Sequence, residues 1–193
     1  MLLYFVMALV DICVVGLHLK SLPIPLVELY WKIPQNEGDF NILFTRASRI
    51  IDVISDAYAG IEMGTTLVLA YLDQGKLTIA HCGDSRCYVV GKEGIVKYLI
   101  SDHSAGGCVD APLTRCFLAS RPDVVKADIK TLNILIGDRI LLCSDGMYQS
   151  MALEILINRM LEDKPLASIL DTYKFMCEKF SQDNYSAILI KVD

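Results

Sequence analysis

The stretch MGTTLVLAYLDQGKLTIAHCGDSRCYVV, Met63 to Val90, decides the architecture. Its first part, TTLVLAYL, is a β-branched and apolar run, the pattern of a buried strand. Asp73-Gln74-Gly75-Lys76 follows as a hairpin turn, with a glycine where positive φ is tolerated. LTIAH is then the partner strand, CGDS the next turn and RCYVV the strand beyond it. GKEG turns the chain once more into IVKYLI. The expectation is a meander of antiparallel strands with an acidic turn in its middle.

Upstream, Asn41 to Ala59 places Ile42, Leu43, Ala47, Ile50, Ile51, Ile54 and Ala57 at three- and four-residue steps, one apolar face of a helix. Downstream, residues 101–122 read as a loop-rich insert punctuated by Gly106, Gly107, Pro112 and Pro122. DVVKADI (123–129) is expected as a strand, and GDRILLCSDG as a turn feeding a buried strand that ends at Ser144-Asp145-Gly146. Two helices, at 149–162 and 166–180, should follow with Pro165 between them, and YSAILIKV closes the chain as a strand.

The totals bound the class. A chain of 193 residues that is 53% hydrophobic can bury a sizeable core, and is expected to be one domain. A net charge of -5, with basic residues scattered, argues against nucleic acid as a partner. Seven cysteines, none spaced as a zinc or redox pair, suit a reduced, cytoplasmic protein. The apolar run of residues 1–19 is as long as a bilayer span, but Asp11 in its middle would cost about 2.5–3.5 kcal/mol there, so strand material is expected over a membrane anchor.

The chemistry lies in the aspartates at strand boundaries. The strand ending at Asp145 and the strand starting after Asp183 are joined by two helices, one leading away and one returning. Both carboxylates therefore belong on one rim. Asp84 is a third contributor if its end of the sheet points the same way. Carboxylates gathered on a rim repel unless a hard cation with oxygen ligands neutralises them, and Mg2+ or Mn2+ suits such a site. A pair of such ions would activate water for phosphate-ester hydrolysis. Each aspartate also has an ordinary reading: Asp145-Gly146 as a turn, Asp84-Ser85 as a hairpin cap, Asp183-Asn184 as an Asx turn.

A resemblance adds to this. The Gly-Thr-Thr, hairpin and Gly-Asp-Ser-Arg order of residues 63–90 resembles the PPM family, the PP2C-type serine/threonine protein phosphatases. SDHS (101–104), LTRCFLASRPDV (113–124), GDRILLCSDGM (137–147) and DNYSAILI (183–190) are similar to its later motifs in order and spacing. The resemblance implies an α+β fold, a four-layer αββα sandwich of two antiparallel sheets flanked by helices. It implies Asp145 and Asp183 as ligands of a metal pair, and Asp84, with Asp145, as a ligand of an extra metal. Asn184 and Gly146 would support these ligands from behind, and Gly64, Thr65, Thr66 and Arg86 would be structural. The implied partner is a phosphorylated protein, with a cognate Ser/Thr kinase as its counterpart.

The chain departs from the pattern at its start. Residues 1–8 resemble the family's first strand and residues 40–193 its core, but 9–39 diverge. No Asp-Gly-x-Gly-Gly follows the first strand, and a phosphate-binding arginine and an early acidic ligand have no counterpart. The expectation is a truncated or degenerate member, of the kind a short out-of-frame segment would produce, with impaired hydrolysis or a binding role alone. His103 is not expected to replace a missing acid, His81 should be packed in its strand or half exposed, and His18 has no evident partner.

Overall fold

The computed structural model describes residues 5–14, 37–58, 62–109, 111–119 and 126–193. Two antiparallel sheets form its centre. The first has the order β1 (Phe5–Val14), β2 (Met63–Asp73), β3 (Lys76–Cys82) and β7 (Asp128–Asn133), with β6 (Phe117–Leu118) pairing one end of β2. The second has the order β5 (Val96–Leu99), β4 (Arg86–Val90), β8 (Arg139–Cys143) and β9 (Ala187–Lys191).

The layers follow from which face each side chain takes, since successive residues of a strand point to opposite sides. Val68 and Ala70 of β2 and Leu77 and Ile79 of β3 meet Cys87 and Val89 of β4 and Ile140 and Leu142 of β8 between the sheets. The alternate residues Leu67, Leu69 and Tyr71 pack outward against Phe40, Leu43, Phe44, Ala47 and Ile51 of helix α1 (Glu37–Ala57). On the far side, Tyr88, Val90, Leu141 and Cys143 pack against a short helix α2 (Asp145–Tyr148), α3 (Leu153–Met160) and α4 (Leu166–Phe180). The result is an αββα sandwich, the expected α+β class.

Local signals were followed closely. At the tip of β2–β3, Gln74 and Gly75 take φ of 47° and 76°, the two positive values that a type I′ hairpin turn requires. α1 begins four residues before the expected start, so Phe40 joins its buried face; Phe44 also lies on that face, whereas Ile42, expected there, is 52% exposed.

Three expectations are corrected. The run from residue 63 to 100 is not one meander: the chain leaves the first sheet after Cys82 and enters the second at Arg86. Residues 83–85 are thus a crossing between sheets rather than a hairpin turn, because β4 pairs with β5 and β8 and not with β3. The strand expected at 123–129 runs instead from Asp128 to Asn133, in register with β3 so that Thr78 and Thr131 share a 3.0 Å hydroxyl hydrogen bond. The helix expected from residue 149 begins at Leu153; a single turn over Asp145–Tyr148 precedes it.

At the N-terminus the paired strand continues past Ala8 to Val14, with Asp11 opposite Thr66 in register. The rest of the divergent stretch through residue 36, including His18, lies outside the described residues. No helix among the described residues is long and apolar enough to cross a membrane.

Candidate metal centre

The second sheet places the three aspartates. Arg86, Cys143 and Ala187 are side by side across β4, β8 and β9. Asp84 precedes the first by two residues, Asp145 follows the second by two and Asp183 precedes the third by four, so all three sit off the same end of one sheet. Asp84 and Asp145 are half-buried and Asp183 is exposed.

The loops after β8 and before β9 are locked together. Ser144 N–H donates to Ser186 O at 3.1 Å, and Ser186 N–H donates to Ser144 Oγ at 3.0 Å. Ser181 Oγ lies 2.8 Å from both Gly146 O and Asp183 O. Gly146 is the contact point itself: a Cβ there would stand 2.2 Å from Asn184 O. Glycine is required by close approach, not by φ. The Asn184 backbone, rather than its exposed side chain, thus meets the rim. Asp145 and Asp183 each also accept from the following backbone N–H, of Gly146 and Asn184, at 2.7 Å. Local carboxylate-to-backbone bonds and the shared rim are therefore both present, with Asp145-Gly146 opening the helical turn α2 rather than forming the expected turn.

The residues on both sides of Asp84 are held. Ser85 Oγ and Thr66 Oγ1 are 2.7 Å apart in the buried layer. Arg86 donates through Nε and Nη2 to Asp102, the shortest contact being 2.6 Å, and its guanidinium lies 3.7 Å over the Tyr148 ring. Before Asp84, Gly83 has φ of +113°, and a Cβ there would stand 2.3 Å from Thr66 Cγ2. The structural expectation for Thr66 and Arg86 has this physical content.

Electrostatics single out the rim. Burial first, and the neighbouring Asp145 carboxylate second, push the Asp84 carboxyl up to about 6. Arg86 is turned to Asp102, Tyr88 and Tyr148 and only partly offsets this. Oxygen donors that repel one another, with the local cation engaged elsewhere, fit a hard divalent ion. The three carboxylates do not bring their oxygens within 4.8 Å of one another, so an ion held by all three would need them to draw in.

A second cluster lies behind Gly83. His103 is buried; its Nδ1 accepts from Gly83 N–H at 3.0 Å, and its own N–H donates to Gly83 O at 3.0 Å. An Nδ1 that accepts leaves the ring proton on Nε2, directed to Asp128 Oδ2 at 2.9 Å; Arg115 Nη2 also stands 2.8 Å from Nε2 but, being a donor, cannot accept that proton. Arg115 holds the same carboxylate with both terminal nitrogens, at 2.7 and 3.0 Å. These bonds, those of Arg115 first, hold Asp128 down to about 2. His81 stacks on His103 with ring centres 4.4 Å apart and is packed, 3% exposed. Among the described residues, His81, His103 and Asp128 alone bring three metal-type donor atoms within 4.8 Å. The chemistry does not suit a metal there: Nε2 carries the ring proton, and Arg115 already neutralises Asp128.

Sequence reasoning named His103 and the Asp-His stretch but missed what they grip, and it missed Asp128. The available signal was Asp102-His103 directly after the apolar end of a strand; their partners at 83, 86, 115 and 128 are set only by folding.

Comparison with known proteins agrees with this architecture. Residues 55–190 match the family model described as Protein phosphatase 2C. The serine/threonine phosphatase stp of Listeria monocytogenes is 27% identical in a 147-position alignment that covers 68% of this chain and 58% of that protein. The chain thus spans less than two thirds of the length of the curated relatives it matches. Among solved structures, the Mycobacterium tuberculosis serine/threonine phosphatase PstP/Ppp superposes with a TM-score of 0.79 at 17% identity, covering 97% of this chain and 88% of that one. A PstP catalytic domain in complex with two manganese ions gives 0.69 at 19% identity, over 84% and 74% of the two chains. With a family match over more than half of its length and that family's sandwich in its fold, the chain belongs to the protein phosphatase 2C family.

Proposed function

We propose that this domain binds a divalent cation, Mg2+ or Mn2+, at Asp84, Asp145 and Asp183 and acts on phosphoserine and phosphothreonine in proteins, with impaired turnover. One observation carries the reading: three aspartates off the same end of one sheet, with two of their loops wedged together at Gly146. In this reading residues 40–193 are the family core and 9–39 a divergent segment within one domain. The buried free thiols of Cys82, Cys87, Cys143 and Cys177 support a reduced, cytoplasmic setting. A cognate kinase would supply the phosphorylated substrate.

The work of this chain's own residues is to hold charge. Asp84 and Asp145 would face the ion as oxygen donors, and Asp183 would close the site from the β9 side. The Ser144–Ser186 hydrogen bonds keep the two loops in register without a metal. Arg86, drawn away by Asp102, leaves the rim negative. A bound divalent ion would supply Lewis acidity toward a phosphoryl oxygen and a lowered pKa for water.

A second reading, a domain that binds phosphoprotein without hydrolysing it, is favoured by the sequence. Asp145-Gly146 is its only Asp-Gly pair, so no Asp-Gly-x-Gly-Gly is available to bridge two ions. Hydrolysis of p-nitrophenyl phosphate and of a phosphothreonine peptide, with Mn2+ and with EDTA, separates the two. Slow Mn2+-dependent turnover lost in Asp145→Ala supports the first. Mn2+ binding without turnover supports the second. Absence of Mn2+ binding refutes the site.

A further inference from the structure

We propose that His103 is a positioning residue for the divalent-cation site: through Nδ1 it fixes Gly83, and with it the direction in which Asp84 presents its carboxylate. The proposal rests on the reading of Asp84 as a cation ligand.

Gly83 has φ of +113°, and a residue without Cβ has little intrinsic preference among backbone conformations. Its place in the crossing is therefore as exact as its hydrogen bonds make it. Both of its backbone polar groups go to the same residue: Gly83 N–H donates to His103 Nδ1 and Gly83 O accepts from His103 N–H, each at 3.0 Å. Gly83 is buried, so loss of the side-chain acceptor would leave an orphaned N–H that the peptide relieves by rotating. Asp84 follows directly.

Beyond Asp84 the crossing is pinned separately, by Ser85 on Thr66 and Arg86 on Asp102. The ring of His103 is itself fixed, with Nε2 on Asp128 and His81 stacked on its face. Asp102 and His103 thus grip the two ends of the segment that carries Asp84.

The two ring nitrogens separate positioning from general support. An asparagine at 103 places Oδ1 where Nδ1 stands and keeps the acceptor for Gly83; a glutamine reaches the Nε2 position and keeps a partner for Asp128. Mn2+ binding to the full chain is read from the electron paramagnetic resonance signal of free Mn2+, at a temperature where circular dichroism shows every variant folded. His103→Gln should weaken the Asp84-dependent binding about 10-fold or more, the usual effect of losing a partner behind a ligand. His103→Asn should stay close to the parent. The double variant His103→Gln/Asp84→Asn should be no weaker than Asp84→Asn alone. If His103→Gln fails to fold, His103→Ala against His103→Asn makes the same comparison: the alanine should lose affinity and the asparagine keep it.

Equal loss in the asparagine variant and in the glutamine or alanine variant, no loss in His103→Gln, or an additive double variant overturns the positioning role. If Asp84→Asn itself leaves Mn2+ binding unchanged, the cation reading of Asp84 falls, and the role of His103 with it.

Discussion

Replacing Gly146 by alanine tests the rim at its tightest point. A Cβ would stand 2.2 Å from Asn184 O, 3.0 Å from Asn184 C and 3.2 Å from Asp183 O. All three obstacles are backbone, so no rotamer change relieves them, and the two loops must part by about 1 Å to restore ordinary contact. Parting them strains the Ser181 hydrogen bonds to Gly146 and Asp183 and the Ser144–Ser186 pair. Overpacking of this kind costs about 1–3 kcal/mol, and backbone obstacles place Gly146→Ala near the upper end. With a urea dependence of about 2 kcal/mol per molar, the unfolding midpoint should fall by roughly 1.5 M. Circular dichroism in EDTA measures this term alone. A parallel Mn2+ titration should show weaker binding, because Asp145 and Asp183 ride on the separated loops. A midpoint within about 0.3 M of the parent, with Mn2+ affinity intact, would mean that the loops are not wedged and refute the argument.

Three further outcomes follow. Asp84→Asn should stabilise the metal-free protein near pH 7 by about 1–2 kcal/mol, after discounting for solvent, since the carboxyl titrates near 6 when folded and must ionise beside Asp145; the penalty builds as pH rises from 3.8 to about 6, so chemical unfolding in EDTA should show about half the gain at pH 5 that it shows at pH 7, and an equal gain at both refutes the assignment. His81, pushed down to about 4 by burial first and His103 second, is neutral when folded but gains a proton on unfolding below about 6.5. It therefore contributes stability at neutral pH that is lost as pH falls from about 6.5 to 4, so His81→Gln should flatten the acid side of the stability curve; an unchanged slope sinks the assignment. Tyr173→Phe removes the buried donor to Leu156 O at 2.7 Å, which joins α4 to α3; a loss of about 1–2 kcal/mol is expected, and none would mean water takes its place.

The fold was legible wherever one element declares itself. The four-residue spacing of Leu43, Ala47 and Ile51 fixed the buried face of α1, and the β-branched, apolar run of β2 marked a buried strand. Asp73-Gln74-Gly75-Lys76 reads as a hairpin because positive φ is a local demand. Partner choice is not local, and there the reading failed: a tight glycine-aspartate segment looks alike whether it closes a hairpin or crosses between sheets. Residues 83–85 cross because β8, some fifty residues later, claims the edge of β4.

The candidate site divides along the same line. Sequence alone put Asp145 and Asp183 on one rim, since a strand, two returning helices and a strand bring the chain back to the end it left. It could not supply the closeness of Gly146 to Asn184, the repulsion between Asp84 and Asp145, or the grip of His103 on Gly83. Those depend on distances of a few ångströms between residues far apart in the chain, and such distances exist only once the two sheets have packed. The sequence determined which chemical groups are available at the rim; the tertiary structure decided how they share charge and what holds them, because Coulomb repulsion and hydrogen bonding act through space and not along the chain.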